Sequence, residues 1–142
     1  MIYKVFLDTN ILIDFFVQSR EKHSIAQKIF TVIESGKIKG FVSETVVNTA
    51  AYLLQKNYPA NKLKNIFSEM LNLVTILNSN NKSFKDAYKN NINDLEDAVL
   101  YQIALNNKMD YFISNDKTHF KNINIDILPV IASEKFLKIL ED

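Results

Sequence analysis

The sequence contains no cysteine and no tryptophan, and its 142 residues include only two glycines, Gly36 and Gly40, and two prolines. Without cysteine there is no disulfide framework, no thiolate nucleophile and no cysteine-based zinc centre. Two isolated glycines build neither a G-x-G-x-x-G turn nor a P-loop, which disfavours a nucleotide cradled by a glycine-rich loop. No charge-free run approaches the roughly 18 residues that a membrane span needs. Lys4 and Asp8 interrupt the start of the chain before an apolar signal core can form, so a cytoplasmic protein is expected. Neither sign of charge is in real excess: 17 Lys and Arg against 16 Asp and Glu leave +1, so contact with nucleic acid would have to come from local patches. The two histidines, His23 and His119, lie in no metal-binding or triad spacing, and a hydrolase triad is disfavoured.

What is present is an ordinary globular balance, with 47% hydrophobic and 23% charged residues. One domain spanning residues 1–142 is expected, removing about 70% of its unfolded surface from water. Residues 3–7 (YKVFL) read as a short buried strand, followed after Asp8-Thr9-Asn10 by the apolar ILIDFF with a helical break at Asp14. Over residues 21–34, Ile25, Ala26, Ile29, Phe30 and Ile33 keep helical spacing, and Gly36 supplies the stop. Residues 37–42 (KIKGFV) make a second strand. Ser43 then caps a helix over 44–56 with Val46, Val47, Ala50, Tyr52, Leu53 and Leu54 inward. After the break at Pro59, residues 60–72 form a helix buried along Leu63, Ile66, Phe67, Met70 and Leu71, and residues 73–77 (LVTIL) a third strand.

Residues 78–82 read as a turn and residues 83–91 as a short helix. A longer helix opens with Asp94, Glu96 and Asp97 and ends at Asn106-Asn107. Tyr111, Phe112 and Ile113 form a strand that stops at Ser114-Asn115-Asp116. Residues 124–128 give a last strand and residues 133–141 a terminal helix with Phe136, Leu137 and Leu140 inward. Strands alternating with helices at these intervals specify the α/β class, a parallel sheet with helices on both faces.

Ligands of open α/β sheets lie outside the C-terminal ends of the strands, and three carboxylates fall on that rim. Asp8 ends the first strand, Asp97 stands in the first turn of the helix leading into the Tyr111 strand, and Asp116 follows that strand. Each has an ordinary local explanation. Asp8 or Thr9 can cap the next helix, Asp94-Leu95-Glu96-Asp97 suits a helix N-terminus, and Asp116 can close an Asx turn. Together, three acids at one edge repel one another, and the usual remedy is a hard cation such as Mg²⁺ or Mn²⁺. Such a site polarises a phosphodiester and generates hydroxide near neutral pH, so phosphodiester hydrolysis is the expected reaction class. Lys82, Lys85 and Lys89 follow i, i+3, i+7 spacing just before Asp94. The stripe is a solvated face in the plain reading and an RNA-binding guide in the sharper one.

The blocks VFLDTNILID, DLEDAVLYQIAL and YFISNDKTHF, in this order across nearly the whole chain, resemble the PIN domain, the fold of the VapC-type toxin ribonucleases. The resemblance implies a three-layer sandwich whose central, mostly parallel sheet of four or five strands is flanked by helices. It implies an endoribonuclease that hydrolyses RNA phosphodiester bonds with Mg²⁺ or Mn²⁺ held by Asp8, Asp97 and Asp116. Asn10 would orient Asp8 by hydrogen bonding, Asp94 would support or replace a ligand, and Ser114 matches the hydroxyl residue that precedes the last acid. His119 stands where a further acid is common. The helix beginning at Ser43 is where the family carries another acid, and this chain has Asn48 there. A neutral amide holds Mg²⁺ more weakly. Glu44, one turn earlier on the same face, could reach the metal or be simply a first-turn residue favoured by the helix dipole. Beyond RNA, the implied partners are an antitoxin protein and a second copy of the chain, with no membrane.

Two functions follow from these residues. One is a metal-dependent ribonuclease, the toxin of a toxin-antitoxin pair. The other is a PIN-fold module, weakened by Asn48, that binds RNA or a protein partner without cleavage. A phosphotransfer or phosphatase domain ranks last, because it would want an Asp-x-Asp pair where Asp8 is followed by Thr9-Asn10.

Overall fold

The computed structural model describes residues 1–116, 118–121 and 127–141. The elements run β1 (Tyr3–Leu7), α1 (Thr9–Phe16), α2 (His23–Glu34), β2 (Ile38–Ser43), α3 (Glu44–Leu54), α4 (Ala60–Met70) and β3 (Val74–Leu77). They continue with α5 (Asn81–Ala87), α6 (Leu95–Asn106), β4 (Tyr111–Ile113), a 3-10 turn (Thr118–Phe120), β5 (Val130–Ile131) and α7 (Ser133–Glu141). The strands pair in the order β3-β2-β1-β4-β5, every pair parallel. Parallel neighbours need crossovers that cover the sheet, and among the described residues seven α-helices do so. The α/β sandwich expected from the sequence is the fold observed.

From β1 the chain moves outward to β2 and β3, then returns to the other side of β1 for β4 and β5. The direction of winding therefore reverses between β1 and β4, and the crevice at their C-terminal ends is where such sheets hold ligands. Asp8 N donates to Ile113 O at 3.1 Å, tying these two strand ends together.

Val5, Phe6, Leu7, Phe112 and Ile113 are fully buried, as expected of central strands covered on both faces. Phe6 and Phe112 stack with centroids 5.1 Å apart. Phe120 packs 5.0 Å from the Phe112 ring and 6.0 Å from that of Tyr101. Tyr101 in turn donates its buried hydroxyl to Leu128 O at 2.6 Å. This aromatic group pins the short segment after β4 against the sheet. Gly36, with φ +84, ends α2 as expected. Gly40 serves close packing, since a Cβ there would lie 2.6 Å from Ile33 Cδ1 and 3.0 Å from Val74 Cγ1.

Several expectations are corrected. Asp14 does not break the helix: α1 runs through it, because Arg20 Nε pairs with Asp14 Oδ1 at 2.9 Å and His23 Nδ1 donates to its carbonyl at 2.8 Å. On α3, Val46, Ala50 and Leu54 recur every fourth residue and take the buried face. Tyr52 and Leu53 project elsewhere and are exposed, as is Leu71 beyond the end of α4. The short helix starts earlier than expected. Asn80 and Ser83 form a reciprocal capping box, so α5 spans Asn81–Ala87 and Lys89 falls in the following turn. Residues 124–126 of the expected strand at 124–128 lie outside the described residues. Ile127 and Leu128 are not in a strand, and β5 comes after Pro129, where Val130 and Ile131 pair with Phe112 and Ile113. Among the described residues no helix is long and apolar enough to cross a membrane.

Candidate active site

Asp8 leaves β1 with extended backbone and becomes the N-cap of α1. Its Oδ1 accepts from Thr9 N at 2.8 Å and its Oδ2 from Ser114 Oγ at 2.7 Å. Capping thus uses one face of the carboxylate, and each oxygen keeps a second lone pair. Burial pushes the Asp8 carboxyl above its ordinary range, Ser114 and Thr9 hold it down, and the charge of Asp116 pushes it up again. Ser114, fully buried at the end of β4, donates to Asp8 and accepts from Asp116 N at 3.1 Å, which couples the two strand ends. Thr118 Oγ1 donates to Asp116 Oδ1 at 2.8 Å.

The third contribution comes from α6. Asp94 caps it by accepting from Asp97 N at 3.0 Å, and Glu96 and Asp97 occupy the first turn, where the helix dipole favours negative charge. Burial, reinforced by the negative charge of Asp8, pushes the Asp97 carboxyl up to about 6 despite a hydrogen bond from His119. His119 Nδ1 bonds to Asp97 Oδ2 and lies 3.3 Å from Asp116 Oδ2. That bond to Asp97 raises the His119 pKa, with the charges of Asp97 and Asp116 adding to it.

Asp8, Asp97 and Asp116, separate rim acids in the sequence, are linked here through Ser114 and His119. Asp94 joins them as a cap. Asn10 is exposed and, among the described residues, makes no hydrogen bond to Asp8; Thr9 N and Ser114 orient that carboxylate instead. Glu44 and Asn48 are both exposed on α3. Lys82 is held by Asp86 at 2.7 Å, and Lys85 is exposed on the same short helix.

Two residues besides the three rim acids gain a place at the site. Burial raises the Glu96 carboxyl, the Thr49 hydroxyl of α3 holds it down, and the charges of Asp8 and Asp94 raise it further. It faces the other acids although it is neighbour in sequence to one of them. His119, which the resemblance sets where a further acid is common, has no second histidine in ligand spacing. A second signal is Phe120 beside it, an apolar residue in a polar segment, whose burial fixes the turn that carries the imidazole.

Ligand atoms of Asp94, Asp97 and His119 all lie within 4.8 Å of one another. Carboxylate oxygens and an imidazole form a donor set for a divalent cation. Two further observations fit such a group. Burial first, and then the charges of neighbouring acids, raises the carboxyls of Asp8, Glu96 and Asp97, a cost that a bound cation would offset. Thr9 Oγ1 is buried with no partner in hydrogen-bonding geometry, although it lies near enough to Glu96 to lower that carboxyl slightly. Beside His119 opens a cavity of about 190 Å³ lined by Asn91, Asn93, Asp94, Thr118, His119 and Lys121.

Comparison with known proteins bears on the family and the fold. Ribonuclease VapC1 of Aquifex aeolicus (strain VF5) is 27% identical over 130 residues, which cover 88% of this chain and 89% of that protein. A chain in the crystal structure of VapBC2 from Rickettsia felis, bound to a DNA fragment from their promoter, matches at a TM-score of 0.63. That match has 15% identity and covers 90% of this chain and 98% of the other, a likeness of fold alone. The family model described as the PIN domain matches residues 4–118, which run from β1 through every acid of the crevice into the turn that carries His119. On that match, the chain belongs to the PIN domain family.

Proposed function

We propose that this protein is a divalent-metal-dependent endoribonuclease of the cytoplasm, the toxin of a toxin-antitoxin pair restrained by an antitoxin protein. The observation that carries this reading is the meeting of acids from three separate elements, β1, α6 and the segment after β4, at the crevice where the sheet reverses. The similarity to Ribonuclease VapC1 supports the reaction, and the antitoxin partner and a second copy of the chain are part of the same proposal.

Asp8, Asp97 and Asp116 would hold Mg²⁺ or Mn²⁺, with Asp94 and His119 beside them. Bound there, the ion supplies Lewis-acid polarisation of the phosphate and a nucleophilic water near neutral pH. The chain's own residues fix the donor geometry. Ser114 sets the orientation of Asp8, the α6 N-terminus favours charge on Asp97, and buried Phe120 holds the Thr118–Phe120 turn that carries His119. Lys85 and Lys89, near the start of α6, are suited to meet the phosphates of an RNA strand.

Asn48 carries a second reading. It is exposed on α3, one residue before Thr49, which holds the Glu96 carboxyl down, and it puts a neutral amide where the family resemblance implies a further carboxylate. In that reading the protein binds RNA or a protein partner without cutting. Purified protein incubated with total tRNA and a generic single-stranded RNA in Mn²⁺, Mg²⁺ or EDTA separates the two. Metal-dependent cleavage that disappears in Asp8→Ala is expected. Cleavage absent from the wild type and gained by Asn48→Glu would establish the binding module instead.

A further inference from the structure

His119 stands on a one-turn segment locked by Phe120, which is only 4% exposed and packs against Phe112 and Tyr101. Its ring is therefore delivered to the acids by the fold. Nδ1 bonds to Asp97 Oδ2, lies 3.3 Å from Asp116 Oδ2, and the imidazole shares with Asp94 and Asp97 a set of ligand atoms within 4.8 Å. A group lying between carboxylates of two different elements occupies the position of a bridging ligand or of a countercharge. The orphaned hydroxyl of Thr9, 7% exposed and close to Glu96, is a buried polar atom at the same crevice that side chains alone do not satisfy.

We propose that His119 is a direct ligand of the cation, making this a mixed imidazole-carboxylate centre that selects a first-row transition ion over Mg²⁺. The inference rests on the metal-dependent reading above. Its chemistry is that of donor softness. Mg²⁺ demands oxygen ligands and gives up water reluctantly, whereas an imidazole nitrogen strengthens binding of transition ions, increasingly from Mn²⁺ to the later metals. An all-carboxylate site would not make that distinction as strongly. Were His119 only a countercharge to Asp97 and Asp116, a cation would displace it and no metal-nitrogen bond would form.

The test is pulsed electron paramagnetic resonance of the Mn²⁺-loaded protein, with Mn²⁺ and Mg²⁺ affinities measured by calorimetry. The wild type, His119→Asn and His119→Asp are compared. The His119 side chain is 43% exposed, so neither variant disturbs the core. His23 stays in all three proteins, its Nδ1 committed to the Asp14 carbonyl at 2.8 Å, and serves as the internal control. The expected result is a directly coordinated ¹⁴N coupling in the wild type that is lost in both variants. The ratio of Mn²⁺ to Mg²⁺ affinity should fall about tenfold in His119→Asp, which restores an all-oxygen site. Mn²⁺ binding without that coupling, or a coupling that persists in both variants, overturns the assignment of His119 and leaves the metal-dependent nuclease standing. No binding of Mn²⁺ by the wild type overturns both.

Discussion

Replacing Asp97 by Asn should stabilise the metal-free protein at neutral pH while removing its response to Mn²⁺. In the folded chain the Asp97 carboxyl is pushed up to about 6 from an ordinary 3.8, chiefly by burial and then by the charge of Asp8. Between those values the folded protein keeps a proton that the unfolded chain has released, so wild-type stability falls as pH rises through this window and stays reduced above it. About two pKa units at 1.36 kcal/mol each set a ceiling of about 3 kcal/mol. The side chain is still 14% exposed and its titration is shared with Asp8 and His119, and solvent screening with coupling reduces the effect to about 1–2 kcal/mol.

The amide removes the charge but still accepts from His119, and the backbone N–H of residue 97 still bonds to Asp94. Thermal unfolding in EDTA should therefore show the Asp97→Asn variant melting about 3–8 °C above wild type at pH 7.5, with most of the difference gone at pH 4. Added Mn²⁺ at a hundred times its Kd should raise wild-type stability by about 2.7 kcal/mol and leave the variant nearly unmoved. A variant less stable than wild type at pH 7.5, or one whose gain is the same at pH 4 and pH 7.5, would refute the reasoning.

Gly40→Ala forces a Cβ against Ile33 and Val74 and should lower stability by about 1–3 kcal/mol in urea unfolding, without changing metal affinity. Asp8→Ala loses the α1 cap and strips buried Ser114 of its acceptor, so beyond its effect on cleavage it should cost about 1–3 kcal/mol in the same assay. If Lys85 and Lys89 meet phosphates, their alanine variants should weaken RNA binding and each reduce the slope of log K against log salt by about 1. Lys82→Ala should do less, because Asp86 already holds that ammonium.

The architecture is legible in the order of the amino acids alone. Hydrophobic spacing places β1, β2, β3, β4 and the helices between them within a few residues, because a buried strand or helix stripe must be written locally in the order of its side chains. It also marks Asp8 and Asp116, since an acid ending an apolar strand is conspicuous, and Asp97 within an acid-led helix. Distances between elements are not written there. Glu96 and Asp97 are neighbours in sequence, yet only the packing of α6 beside α3 and the turn after β4 decides that Thr49 holds the Glu96 carboxyl down while Asp97 bonds to His119. The histidine is the clearest case. No spacing in the chain relates His119 to Asp97, which lies 22 residues earlier. Their contact exists because the parallel sheet returns β4 to the side of β1 and buried Phe120 anchors the turn that follows. Local pattern marks the buried stripe of each element, though not every member, since Tyr52, Leu53 and Leu71 are exposed. Which charges then face one another depends on topology, and that is settled only when the strands are set side by side.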